Sequence, residues 1–459
     1  MSLFHRNEGE TGSGAKAFAL LACRTRFCSE EFIMRRIGTF VIAMLLVAHG
    51  LQAGGMQGKR SRLSYGASAG WVYLLGVDKY ARELIKSPHG AVYNVYGAYR
   101  ALPSDSSRYD MAFGYPTIRC GLMLLDYSRV RLHMDNRHTP YDSELGYMVA
   151  AYAAFKRDVV RASRFTLAYS FENGLGFCTR PYNPVDNVDN EIIGSPLSIY
   201  FGFGVQARMR VAPSCEVFVE GEFKHFSNGA LDRPNKGANT VGLSAGVRYY
   251  PAGDQPKLPV RNKFQRAYGK NFYCDLSVGW AAKSFLDEWF LYYYLLSPED
   301  ARYRTADYPI YSALSVSVAP MFRYRLKFAS GIGVDYMYVP YAEQLKRINE
   351  EKSMPGLLYS PHSLGVSLRH EVFYKHLSLY FSLGYYLFRQ MGKVPDEADE
   401  SRYGMTEKET PYYETIGLRF YIPRLEWLYI GYHVKAHLSK ADCMVLNVGV
   451  RLGKMKNWR

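Results

Sequence analysis

The chain has 459 residues, 48% of them hydrophobic, and a formal charge of +15; that length allows one large domain or two modest ones. The charge suits solvated loops or the phosphates of an anionic lipid surface, and no basic helix or RNP-like strand points to nucleic acid. With 40 Tyr, 40 Gly and 25 Phe, a slightly negative mean hydropathy and many segments of about ten alternating residues, the pattern is that of an all-β transmembrane antiparallel β-barrel. A soluble sandwich or propeller shares the alternation. The tyrosine excess favours the barrel, because amphipathic rings collect at membrane interfaces.

Residues 1–33 have no evident structural logic, and Met34 is expected to be the true start, with the preceding stretch disordered. Met34-Arg35-Arg36, the apolar run Ile37 to Leu51 and then Gln52-Ala53 read as a signal peptide over residues 34–53, cut after Ala53. The run is too short for a membrane-spanning helix. No later window is apolar for long enough, so a membrane location requires a closed barrel. Beyond Cys23 and Cys28 the cysteines are Cys120, Cys178, Cys215, Cys274 and Cys443. An odd number without CxxC spacing predicts neither a disulfide framework nor a zinc site.

From residue 54 onward the alternation predicts eight strands: Leu63–Leu75, Ala91–Arg100, Thr117–Tyr127, Leu145–Phe155, Arg164–Cys178, Ser195–Arg210, Glu216–Ser227 and Asn239–Tyr250. The Ala-rich fourth could equally be a helix. Thr179–Gly194, rich in Pro, Asn and Asp, reads as a structured loop. Eight strands suffice for a small barrel over residues 54–252. Residues 253–270, rich in Pro, Lys and Arg, read as a linker.

Alternation resumes over residues 271–459, with strands expected at Asn271–Ala282, Trp289–Leu295, Ile310–Arg325, Leu326–Val339, Ser363–Phe373, Leu377–Phe388, Tyr412–Ile422, Trp427–Ala436 and Met444–Leu452. Charged loops are expected at Ala342–Lys352 and Lys393–Thr410. The chain is therefore either two small barrels or one barrel of roughly 16 strands. The endings of the halves, KHFSNGA then VGLSAGVRYY and AHLSKAD then MVLNVGVRLG, are faintly alike, through old duplication or convergence of barrel strands.

One stretch carries chemistry. In Glu216–Ser227 the apolar face of Val217, Val219, Gly221 and Phe223 continues into His225 and Ser227, while Glu216, Glu220, Glu222 and Lys224 line the other face. Asn239 on the returning strand is positioned to look across at His225. If both barrel ends face the periplasm, His225 and Ser227 lie at the outer rim on the lipid side. A serine hydroxyl needs a neighbouring base, and the base needs a third group to set its tautomer. His225, Ser227 and Asn239 are candidates for those roles, and Asn228 with the Gly229 N–H suits an oxyanion. The bland reading is an interfacial polar girdle, and two more HxS pairs act as controls. His376/Ser378 and His437/Ser439 alternate against the apolar sets of their strands, so they are expected to be structural.

HFSNGALDRPNKGAN resembles the signature of the lipid A 3-O-deacylase (PagL) group of outer-membrane β-barrel hydrolases, and of related bacteroidete-type acyloxyacyl hydrolases. RPYNPVDNVDNEIIGSPLSIY is similar to the second group, and the resemblance covers about residues 60–250. It implies His225 as general base, Ser227 as nucleophile and Asn228 with Gly229 as the oxyanion hole, on lipid A or lipopolysaccharide in the outer leaflet. The best-known members have an acid where this chain has Asn239. An amide orients histidine but does not stabilise imidazolium by charge.

The expected function is thus a serine esterase of the bacterial outer membrane that removes an ester-linked acyl chain from lipid A, without cofactor or metal. One alternative is a lipase similar to outer-membrane phospholipase A, which has a lipid-facing His–Ser–Asn triad but also uses calcium and dimerises; the chain has no calcium loop. The other is a non-catalytic barrel, a pore or structural protein.

Overall fold

A computed structural model describes residues 62–105, 107–135, 139–253, 258, 270–352, 356–393, 410–437 and 440–453. The expected start region, the signal peptide, Ser439 and nearly all of the expected linker lie outside these residues.

In the first half the elements are β1 (Leu63–Leu74), α1 (Lys79–Leu84), β2 (Ile85–Ser87), β3 (His89–Arg100), α2 (Arg108–Phe113), β4 (Thr117–Leu132), β5 (Ser143–Arg161), β6 (Phe165–Cys178), β7 (Leu197–Ala212), β8 (Cys215–Ser227) and β9 (Ala238–Tyr249). The second half has β10 (Asn271–Lys283), α3 (Leu286–Phe290), β11 (Tyr311–Arg325), β12 (Phe328–Tyr338), α4 (Ala342–Glu351), β13 (Leu358–Tyr359), β14 (His362–Tyr374), β15 (Leu377–Phe388), β16 (Met391–Lys393), β17 (Tyr412–Ile422), β18 (Leu425–His437) and β19 (Lys440–Leu452).

The chain forms two closed antiparallel barrels. β9 pairs back to β1, from Tyr65↔Tyr249 to Leu74↔Thr240, and β10 closes on β19 from Cys274↔Leu452 to Ala282↔Met444. Each barrel has eight long strands, so the single barrel of about 16 strands is set aside. The two look-alike endings occupy the same places, as the seventh and eighth strands of each barrel. No helix among the described residues is long and apolar enough to cross a membrane.

Alternation decides what faces where. In β8, Glu216, Phe218, Glu220, Glu222, Lys224 and Phe226 are buried in the lumen, while Val219 and Gly221 are exposed outside. Leu175, Val205, Leu243 and Val247 continue the outward apolar belt of the first barrel; Ile332, Leu368, Leu383 and Val448 do the same for the second.

Eight strands leave an interior that side chains can fill, and here the filling is ionic. Glu220 accepts from Arg119 at 3.2 Å, Lys156 at 3.2 Å and Gln206 at 2.8 Å. Arg119 also pairs with Glu172, which accepts from Tyr200 Oη at 2.7 Å. Asp158 is shared by Arg100, Arg161 and Arg208. In the second barrel Arg419 bridges Asp275 at 2.7 Å and Glu371 at 3.2 Å, and Arg369 pairs with Asp335. Charges taken out of water persist only when paired and hydrogen-bonded, and these groups meet that condition by network.

The barrels touch side by side. Tyr432 Oη donates to Asn173 Oδ1 at 2.6 Å, and Arg323 donates to Tyr109 Oη at 2.8 Å. Tyr374 meets Phe155 and Phe113 edge-on at 4.9 and 5.6 Å between ring centroids.

Two local expectations fail. Trp289–Leu295, expected as a strand, is instead the end of α3 continued by a wider helical turn through Leu291–Leu295. Aromatic residues favour strands by propensity, but here spacing of four stacks Trp289 on Tyr293 at 5.4 Å and Phe290 near Tyr294 at 5.0 Å. Asp287 and Glu288 also sit in the first turn, where the helix dipole favours them. Ala342–Lys352, expected as a charged loop, is mostly helix α4, which buries Leu345 and Ile348 together. The Ala-rich segment that could have been helical is β5, the longest strand.

Removing the Glu220 carboxylate tests the ionic plug. Glu220→Ala leaves Arg119 and Lys156 buried without a shared partner, a loss of about 3–5 kcal/mol. The expected result is a lower urea midpoint for loss of the folded electrophoretic form.

Candidate active site

The candidate residues gather where β8 and β9 reach the rim. Register pairs His225 directly with Asn239, and His225 Nδ1 lies 2.9 Å from Asn239 Oδ1. The other end of the amide, Nδ2, donates to Gly237 O at 3.4 Å. A carbonyl can only accept, so this contact turns Oδ1 toward the ring. His225 Nδ1 then carries the hydrogen and Nε2 keeps its lone pair.

Ser227 closes β8 and is only 8% exposed, so it lies beneath the rim loop instead of in open lipid. Two donors converge on its Oγ: the Gly229 N–H at 3.2 Å and Asn235 Nδ2 at 2.9 Å. No hydrogen bond joins His225 to Ser227. Residues two apart on a strand stand roughly 7 Å apart at Cα, and contacts between catalytic groups often tighten only with substrate in place.

Asn228 is used differently from Gly229. Its amide Nδ2 donates to Ser195 Oγ at 3.0 Å and to Asp232 O at 3.1 Å, which ties down the loop instead of facing Ser227. Gly229 has φ +66° and Ala230 φ +70°, a left-handed pair that turns the chain sharply after Ser227.

The loop between β8 and β9 rests on the Thr179–Gly194 loop. Lys236 N–H and Gly237 N–H donate to Glu191 O at 3.0 Å and Ile192 O at 2.9 Å. Within the supporting loop, Asn187 Nδ2 donates to Pro181 O at 2.8 Å, and Asn190 Oδ1 accepts from Ile193 N–H at 3.1 Å. A Cβ on Gly194 would lie 2.1 Å from Pro234 O, which explains a glycine where two backbones meet. Above them the second barrel adds an aromatic cap, with Trp289, Tyr293 and Tyr308 packed on Tyr182 and Val188.

Two of the control residues point inward. Ser378 is buried in the second lumen and donates to Glu371, and His437 Nε2 meets Tyr386 Oη at 2.9 Å. Sequence reasoning does not single out Asn235, Ser195 or Gly237 as site residues. Asn235 nonetheless lies within the PNKGAN stretch, where a second asparagine four residues before Asn239 is the available signal.

Fold and site together define a double β-barrel with a His–Asn pair and a serine at the rim of the first barrel. Residues 122–248 match the family model described as lipid A 3-O-deacylase (PagL), and residues 287–454 match that of the acyloxyacyl hydrolase C-terminal domain. The chain belongs to this PagL family of acyloxyacyl hydrolases. Comparison with curated proteins finds no match. Among solved structures, a de novo designed transmembrane β-barrel is 12% identical, covers 42% of this chain and 98% of its own, and has a TM-score of 0.21. CdiB from Acinetobacter baumannii is 10% identical over 85% of this chain and 60% of its own, with a TM-score of 0.16. A mutant porin from Rh. blastica is 7% identical over 85% and 99%, with a TM-score of 0.14.

Gly237 gives a direct test of the His225 environment. At φ +78°, an added Cβ would lie 2.8 Å from His225 Cε1, so Gly237→Ala pushes the ring from Asn239. Labelling of Ser227 by a fluorophosphonate is expected to slow roughly 10- to 100-fold, while the barrel still shows its folded electrophoretic mobility.

Proposed function

We propose that this protein is an outer-membrane serine esterase that hydrolyses an ester-linked acyl chain of lipid A. Family membership points to a hydrolase acting on lipid A acyl esters. The observation that carries the finer reading is the hydrogen-bonded His225–Asn239 pair two residues from Ser227, on the outward face of the strand. A substrate whose esters lie at the membrane surface meets the barrel there.

In this reading His225 Nε2 takes the proton of Ser227 Oγ as it attacks the acyl carbonyl. Gly229 N–H stabilises the developing oxyanion, and Asn235 Nδ2, also aimed at Ser227, is the second donor. Asn228 serves by anchoring the turn through Ser195 and Asp232. His225 returns the proton to the leaving sugar oxygen, and water then releases the fatty acid from the acyl-enzyme. Asn239 fixes the histidine tautomer without adding negative charge. The closed, apolar-belted barrels support the outer membrane as location, with residues 34–53 as the export signal. The ion-paired filling of both lumens favours this reading over a pore.

Expression of the protein and of Ser227→Ala in an outer membrane lacking other deacylases tests the proposal. Mass spectra of lipid A are expected to lose one acyl chain only with the native serine. Identical acylation from two correctly assembled barrels rules the reading out. Phospholipid supplied to the same preparation, with and without calcium, separates it from a phospholipase.

Asn239→Asp supplies the missing charge. A carboxylate beside His225 stabilises the imidazolium formed in the transition state, so kcat is expected to rise about tenfold. The same charge makes the imidazole harder to deprotonate, so the acidic limb of the pH–rate profile moves to higher pH.

A further inference from the structure

The loop that carries Gly229 does not hold its shape alone. Gly229 and Ala230 are both left-handed, and Ala230, unlike glycine, incurs a steric cost at φ +70°. At that residue the second barrel takes hold. Ser284, the residue after β10, sends both its N–H, at 2.7 Å, and its Oγ–H, at 3.1 Å, to Ala230 O. Its own carbonyl accepts from Arg233 Nε at 3.1 Å, back in the same loop. Ser284 and Ala230 are fully buried. On the other side, Met444 of β19 stands against Gly229, 3.2 Å from where a Cβ would be.

We propose that Ser284 is a positioning residue: the second barrel grips Ala230 and thereby aims the Gly229 N–H at the reacting centre, so that hydrolysis in the first barrel depends on the second. The inference rests on the esterase reading given above. Its physical content is that the Ala230–Leu231 peptide, two units along from the one that carries the Gly229 N–H, is fixed through its carbonyl from outside the first barrel, and the tight turn passes that constraint back. A donor misplaced by an ångström loses most of its value in the transition state. Substrate binding elsewhere on the rim is untouched.

Ser284→Pro in the full-length protein removes both donors and keeps the carbonyl that Arg233 uses. The preceding Lys283 ends a strand, an extended conformation that proline accepts in its neighbour. The expected result is a roughly 10- to 100-fold fall in kcat for lipid A deacylation with KM unchanged. Adding Ala230→Gly, which adopts positive φ without being held, is expected to recover at least about fivefold. A folded Ser284→Pro protein with native kcat, or a loss that Ala230→Gly does not relieve, overturns the proposal. If Ser284→Pro fails to assemble, Ser284→Ala decides: a fall in kcat of about two- to fivefold supports it, and no change overturns it. Hydrogen exchange separates failure of this proposal from failure of the esterase reading. If the native protein has no deacylase activity, the esterase reading fails. Faster exchange at the Gly229–Leu231 amides in the variant then still supports the grip, and unchanged exchange overturns it.

Discussion

Closure of the first barrel after eight strands is the constraint on which the other features depend. A sheet edge leaves a row of unpaired N–H and C=O groups that neither lipid nor a packed core can satisfy. Pairing of β9 with β1 removes that edge. It also fixes the bore, because a ring of eight strands encloses a space that side chains fill. With Arg119, Lys156, Glu172 and Glu220 already meeting there, the lumen is occupied by its own ion pairs. The candidate site lies at the outer surface and the rim.

The rim is a composite. β8 and β9 supply His225, Ser227 and Asn239, but the loop between them is shaped by what lies against it. The Thr179–Gly194 loop binds it edge to edge through Glu191 and Ile192, and the second barrel reaches it through Ser284 and Met444. Asn173 and Tyr432 join the barrel walls themselves. The second half of the chain is thus a neighbour of the candidate site as well as a barrel in its own right.

Period-two alternation makes much of this legible in the sequence. It places His225 on the outward face and Ser378 on the inward one, because successive side chains on a strand cannot choose the same side. The facing of His225 and Asn239 is legible for a related reason: few registers between these antiparallel strands keep both apolar faces together. Trp289–Leu295 misleads because its aromatic content suits a strand, whereas the stacking partners that make it helical are four residues apart. Asn235 escapes notice because nothing local to it says that its amide turns back toward Ser227.

By itself the sequence determined the fold class and the face on which the side chains of β8 lie, and it singled out His225, Ser227 and Asn239 as candidate site residues. These are properties of local spacing, and a strand transmits spacing directly into direction. Only the tertiary structure decided that β9 returns to β1 instead of pairing onward to β10, since both choices satisfy the same alternation. It alone brought Asn235 onto Ser227, covered that serine with the rim loop and set Ser284 against Ala230. Those contacts join residues far apart in the chain, or on opposite arms of an irregular loop, where no period in the sequence relates one to the other.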